Sequence, residues 1–267
     1  MKKILTVLIA ISVIGLVSCE KDSGPSEAPG NIPGFSKNST EKPEVKEEFV
    51  MPDDIILEGK ITGTDNLKST SASSSFVYGS GGDVKLKLTL KNTSNRSRTI
   101  FLPKGLIWES TSAEYQHGIQ LQTIWISLMG KQTKEVVINL YCANFHLLPG
   151  PDHNIVYHIL GVTSSRIIWR FLDMIGWKMI NYEMFAGNQP SPGSHLKSGE
   201  GPSIDVISAR LQSILHKLTD NGSPITDEDI SFIESIPDVE NEDARNVLGK
   251  DVDYPEYLEE YSELVKK

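Results

Sequence analysis

The sequence predicts an N-terminal antiparallel β-sandwich followed by a helical region packed on it. Two observations lead to this fold class. Between Ile55 and Cys142, apolar residues recur at every second position in short runs separated by polar turns. After Pro149-Gly150-Pro151, their spacing becomes helical.

The strands follow in order. Ile55–Thr62 is the first. Val84–Lys91 is the clearest, with Val84, Leu86, Leu88 and Leu90 alternating with Lys85, Lys87, Thr89 and Lys91. That pattern gives one buried and one wet face. Asn92–Ser97 is a turn of small polar residues, and Arg98–Leu102 is a strand stopped by Pro103 and Gly105. Leu106–Trp108, Gln120–Leu128 and Glu135–Cys142 complete the set. In the last of these Val136, Ile138, Leu140 and Cys142 share a face, which turns Cys142 toward the core near a strand end. Short strands at regular spacing in a sandwich resemble immunoglobulin-like modules.

The helices announce themselves by stripe and cap. Ser164–Met179 carries Ile167, Ile168, Phe171, Leu172, Ile175 and Met179 on one face. Ser203 caps a helix whose buried face is Ile204, Ile207, Leu211, Ile214, Leu215 and Leu218. Thr226 caps another, with Asp227, Glu228 and Asp229 in the first turn. Glu240–Leu248 and Glu256–Val265 are short helices. Gly187–Pro202 is a Gly/Pro/Ser-rich loop. The chain thus divides into 1–18, a tether over 19–54, the sandwich over 55–150, the helical region over 151–250 and a C-terminal helix or tail over 251–267.

The first segment has the form of an export signal. Lys2 and Lys3 precede the apolar run Ile4–Val17, which is shorter than a membrane-spanning helix needs. Leu16-Val17-Ser18-Cys19 resembles the lipobox of bacterial lipoproteins. The resemblance implies cleavage before Cys19 and acylation of its sulfur, hence a lipid anchor in the cell envelope, with the outer membrane as the expected site. Glu20-Lys21-Asp22 is similar to the charged export cluster of some surface lipoproteins of Bacteroidetes. Pro25, Pro29, Pro33, Pro43 and Pro52, with Gly24, Gly30 and Gly34, make residues 19–54 read as an extended, disordered spacer.

Removing the first 18 of 267 residues leaves 249, with 24 basic groups against 35 acidic ones and a formal charge of −11. Such a chain repels nucleic acid and anionic lipid, which excludes nucleic-acid binding as its role. His146, His153 and His158 lack metal-ligand spacing, so no metal or other cofactor is expected. Gly79-Ser80-Gly81-Gly82 leads into a strand and lacks the Lys-Ser/Thr of a phosphate loop, so it reads as a turn. A GxSxG elbow is absent from the sequence. Trp108, Trp125, Trp169 and Trp177 read as core aromatics.

With Cys19 acylated, Cys142 has no disulfide partner in the chain. One reading makes it a buried, inert small hydrophobe, with Gln212 on the rim of a helix. The other joins the two residues. Tyr141-Cys142-Ala143-Asn144 and Leu211-Gln212-Ser213-Ile214 resemble the paired segments of thioester domains in bacterial surface adhesins, although that family's Gln follows Thr where this chain has Leu211. The resemblance implies Cys142 as thiol, Gln212 as acyl donor, and capture of an amine on a target surface. His216, one helical turn past Gln212, is a candidate proton shuttle. The expected role is therefore a non-enzymatic binding or adhesion lipoprotein with a protein or surface ligand. The alternatives are a structural subunit of an envelope assembly and an unrecognised hydrolase.

Overall fold

The computed structural model describes residues 27–37, 39, 41–64, 76–148, 154–185 and 201–239. Its organising strand is β4 (Val84–Asn92), where Val84, Leu86, Leu88 and Leu90 are buried between outward lysines. On one side β4 pairs antiparallel with β2 (Ile55–Gly63), on the other with β9 (Thr133–Cys142). Leu86 then faces Ile138, and Leu88 faces Val136. The C-terminal end of β9, at Tyr141 and Cys142, pairs with β7 (Gly118–Ile119), which pairs in turn with β6 (Leu106–Ser110). Strand β10 (Val156–Thr163) pairs with both β6 and β2.

Those last pairings close the sheet into a six-stranded barrel, β10-β2-β4-β9-β7-β6. The expected immunoglobulin-like sandwich is therefore corrected to a closed barrel with helices. An alternating strand specifies one buried face, and a barrel meets that demand with a single sheet whose inner faces point at one another. The strand that completes it, β10, lies in the stretch 151–250 expected to be helical. At its bulge Gly161 adopts φ +151°, and a Cβ there would collide with the Glu47 backbone.

Four strands stand beside the barrel circuit. β1 (Val45–Glu47) adds to β10, and β3 (Phe76–Gly79) pairs in parallel with β9. β5 (Arg98–Leu102) and β8 (Ile124–Leu128) form a separate two-stranded sheet whose Ile100, Leu102, Ile124, Ile126 and Leu128 join the same core.

Two helices start at the caps read from the sequence, Ser203 and Thr226, and the first lies within the expected Ser164–Met179 run. α1 (Arg166–Ile175) is capped by Ser165, whose hydroxyl accepts from the Ile168 N–H. The short α2 (Tyr182–Phe185) follows. α3 (Ile204–His216) is capped by Ser203 and runs into a π turn, Lys217–Asn221. α4 (Asp227–Ser235) begins with a complete Thr226–Asp229 capping box.

From Ala28 the stretch expected to be a spacer packs on the fold. Ile32 and Phe35 are buried, the Gly30 N–H donates to the Leu218 carbonyl at 2.7 Å, and the Ser36 hydroxyl donates to the Thr219 carbonyl at 2.5 Å. Sparse apolar residues among prolines and glycines suffice because the π turn supplies backbone partners. The signal segment, the lipobox with Cys19, the helices expected from Glu240 onward, His153 and most of the Gly187–Pro202 loop lie outside the described residues.

Candidate functional site

The site forms where β4 stops short. The β4–β9 register pairs Val84 with Leu140, so two more residues of β4 would place Gly82 opposite Cys142. The chain turns away instead. Gly81 has φ +95°, and a Cβ there would strike the Leu140 carbonyl oxygen, so this reversal requires glycine. The turn is held by α2 and α3. Glu183 accepts from the Gly79 N–H at 2.7 Å, Ser80 donates to Asn181 at 3.2 Å, and the Gly81 N–H donates to Ser208 at 3.4 Å.

Into the gap α3 inserts the side chain of Gln212. The Cys142 N–H donates to Gln212 Oε1 at 2.8 Å, and Gln212 Nε2 donates to the Cys142 carbonyl at 2.9 Å. A carboxamide has the donor–acceptor pattern of a peptide group, so Gln212 stands in for the missing strand. The second proton of Nε2 points at His216 Nε2, 2.7 Å away. An amide nitrogen only donates, so the ring nitrogen accepts and its proton resides on Nδ1. Burial holds the His216 pKa below its ordinary value, against the carboxylates of Asp220 and Asp83, so the ring is neutral in this contact.

Cys142 is fully buried, and its strand phase turns the side chain into the barrel with Leu140 and Ile138. Burial pushes its thiol well above the usual range; the backbone N–H of Asn144 works the other way, and Asp83 and Asp220 add to the rise. The following loop is tied down on three sides. Asn144 Nδ2 donates to the Gly34 and Phe35 carbonyls at 2.9 and 3.1 Å. Asp220 accepts from the Phe145 N–H at 3.2 Å and lies 2.8 Å from His146 Nδ1. The Phe145 ring, largely exposed, covers His216 with centroids 4.5 Å apart.

Cys142, Gln212 and His216 thus meet at one end of the barrel. Sequence reasoning missed Phe145, Asp220 and Glu183. Asp220 carries no local signal because a π turn, which follows no helical stripe, brings it back to the Cys142 loop. Of the expected histidines, His146 joins this cluster and His158 lies on β10. Among the described residues, no group of three or more His, Cys, Asp or Glu side chains is placed to hold a metal ion. Comparison of the chain with protein-family models, curated proteins and solved structures returns no match.

Glu183 makes the turn beside the site pH-sensitive. It is fully buried with Asn181 and Gly79 as donors, and burial raises its carboxyl from 4.5 to about 8. Tyr78, itself hydrogen-bonded by Lys134, is a titratable group whose pKa this carboxyl raises further. A raised carboxyl pKa means the folded state keeps a proton that the unfolded chain releases. Its contribution is complete at acid pH, declines as pH rises from about 4.5 and is gone above about 8. Wild-type stability should therefore fall between pH 5 and 8, by at most about 1.4 kcal/mol per pH unit. Glu183→Gln should flatten that slope in urea melts. Equal slopes for the two proteins would refute the assignment.

Proposed function

We propose that this chain is a lipid-anchored protein of the cell envelope that attaches to amine-bearing surfaces through a thioester between Cys142 and Gln212. The observation that supports the reading is the Gln212 carboxamide held against the Cys142 backbone, whose N–H donates to its oxygen and whose carbonyl accepts from its nitrogen. Addition of the thiol to the Gln212 side-chain carbonyl carbon would develop negative charge on Oε1, where the Cys142 N–H already donates. Collapse forms the S–C bond, breaks the C–N bond and releases ammonia from Nε2. The acyl group then reacts with a primary amine, which forms a new amide on Gln212 and regenerates the thiol. The event is single-use, so the protein acts as a binder and not as a turnover catalyst. Burial of Cys142 supports a long-lived thioester, because it excludes water and makes the sulfur a poor leaving group. The anchor rests on Leu16-Val17-Ser18-Cys19 and the signal-like residues before it.

One experiment reads both parts. Intact mass of the chain extracted from cells should show acylation that Cys19→Ala abolishes, together with release of that variant from membranes. The same spectrum should lack one ammonia relative to the sequence. Methylamine should convert that species to one heavier than the plain chain by a methylene group, and Cys142→Ala should show neither change. Acylation that survives Cys19→Ala would end the anchor reading. A full ammonia content with no methylamine adduct would leave Gln212 as a strand substitute and Cys142 as core.

A further inference from the structure

We infer that His216 is the proton-transfer residue of this site, taking a proton from the attacking amine and holding it until the Cys142 sulfur leaves. The inference rests on the thioester reading and assigns a role within it. Its ground is positional. Aminolysis makes the incoming nitrogen the new amide nitrogen of Gln212, so it ends where Nε2 now sits. That place is 2.7 Å from His216 Nε2 and 2.9 Å from the Cys142 carbonyl. The ring nitrogen facing it is the one without a proton, as the donor character of the amide requires.

The proton balance needs such a group. Attack of RNH2 on the acyl carbon gives a nitrogen with one proton too many and an oxyanion facing the Cys142 N–H. His216 removes the proton, the carbonyl re-forms, the C–S bond breaks, and the sulfur takes one proton back. The net change is thioester plus amine to thiol plus substituted amide. A sulfur in a buried site does not leave as a free anion at neutral pH, so the proton must stay close. Asp220 and Asp83 stabilise the imidazolium while it exists. The exposed Phe145 ring lies against the His216 ring, with centroids 4.5 Å apart.

The test uses the full chain and methylamine, followed by intact mass against time. His216→Phe keeps a ring beneath Phe145 without a nitrogen; His216→Gly leaves a hole that added imidazole can fill. The expected result is methylamine uptake slowed roughly 10²- to 10⁴-fold in both variants. Imidazole should restore the rate in His216→Gly alone. Wild-type rates in His216→Phe would overturn this assignment and leave the thioester standing. So would variants that never lose ammonia even with imidazole, since that marks a structural role. A wild-type chain that retains its ammonia would overturn both readings.

Discussion

Gln212→Ala is expected to destabilise the protein by about 3–5 kcal/mol, a large fraction of the stability of an ordinary domain. The truncation orphans the buried Cys142 N–H and carbonyl, each of which carries a desolvation penalty of about 1–3 kcal/mol when left unpaired. It also strips the partner from His216 and opens a void between α3 and the barrel end. Backbone strand pairing cannot repair the loss, because Gly81 and Gly82 already turn away from Cys142. The measurement is a urea midpoint, made in a Cys142→Ala background so that no covalent link enters the comparison. Ser213→Ala, on the exposed face of the same turn, is the control and should stay within about 0.5 kcal/mol. A change below about 1 kcal/mol for Gln212 would show that the gap in the sheet closes without it.

Asp229→Ala should have the second-largest effect, about 3 kcal/mol. The carboxylate is completely buried and accepts from Lys217 Nζ at 2.7 and 2.8 Å, from the Thr226 N–H at 3.0 Å and from the Thr226 hydroxyl at 2.8 Å; Arg210 lies 3.2 Å away. Its removal leaves Lys217 without its carboxylate and takes away the half of the α4 capping box in which the Thr226 N–H donates to this side chain. Burial alone would raise this carboxyl, but Lys217 and Thr226 outweigh it and hold it below the usual carboxylate range. Its contribution is thus present above the ordinary Asp value and is lost as pH falls through the lowered one. Thermal melts at neutral pH should show the deficit, and the gap between wild type and variant should narrow in strong acid. Glu228→Ala, which removes the highly exposed partner of Arg210, should be nearly silent. Equal effects from the two substitutions would place the stability of α4 elsewhere.

Much of this molecule is legible in its residues, and the failures have physical causes. β4 and β5 fall where alternation and turn residues put them, and Ser203 and Thr226 mark helix starts through the N–H groups their side chains satisfy. Closure is another matter. Period two states that one face is buried but does not say whether two sheets or one closed sheet buries it. The deciding strand, β10, reads Val-Tyr-His-Ile-Leu-Gly-Val-Thr, which lacks alternation because a bulge at Gly161 shifts its phase. β7 has two residues and shows no pattern at all. β9 is buried on both faces from Val136 to Cys142, so the outward phase expected for Val137, Asn139 and Tyr141 is covered too. Strand phase turned Cys142 inward and helical phase put Gln212 at the margin of a stripe. What joins them is the line of α3 across the barrel end, and that is a tertiary choice without a local signature.

Closing the barrel with β10 imposes an order in time. A chain made from its N-terminus has β2 and β6 as unpaired sheet edges until residues 156–163 have emerged. The segment around Gly30 and Ser36 waits longer still, for the carbonyls of Leu218 and Thr219 in the π turn after α3. Some of the first described residues therefore dock among the last. Such distant pairings put folding in the slow regime of all-β topologies, roughly milliseconds to seconds, with two sticky edges open throughout. Until the last third of the polypeptide arrives, the nascent protein depends on whatever shields those edges from its neighbours.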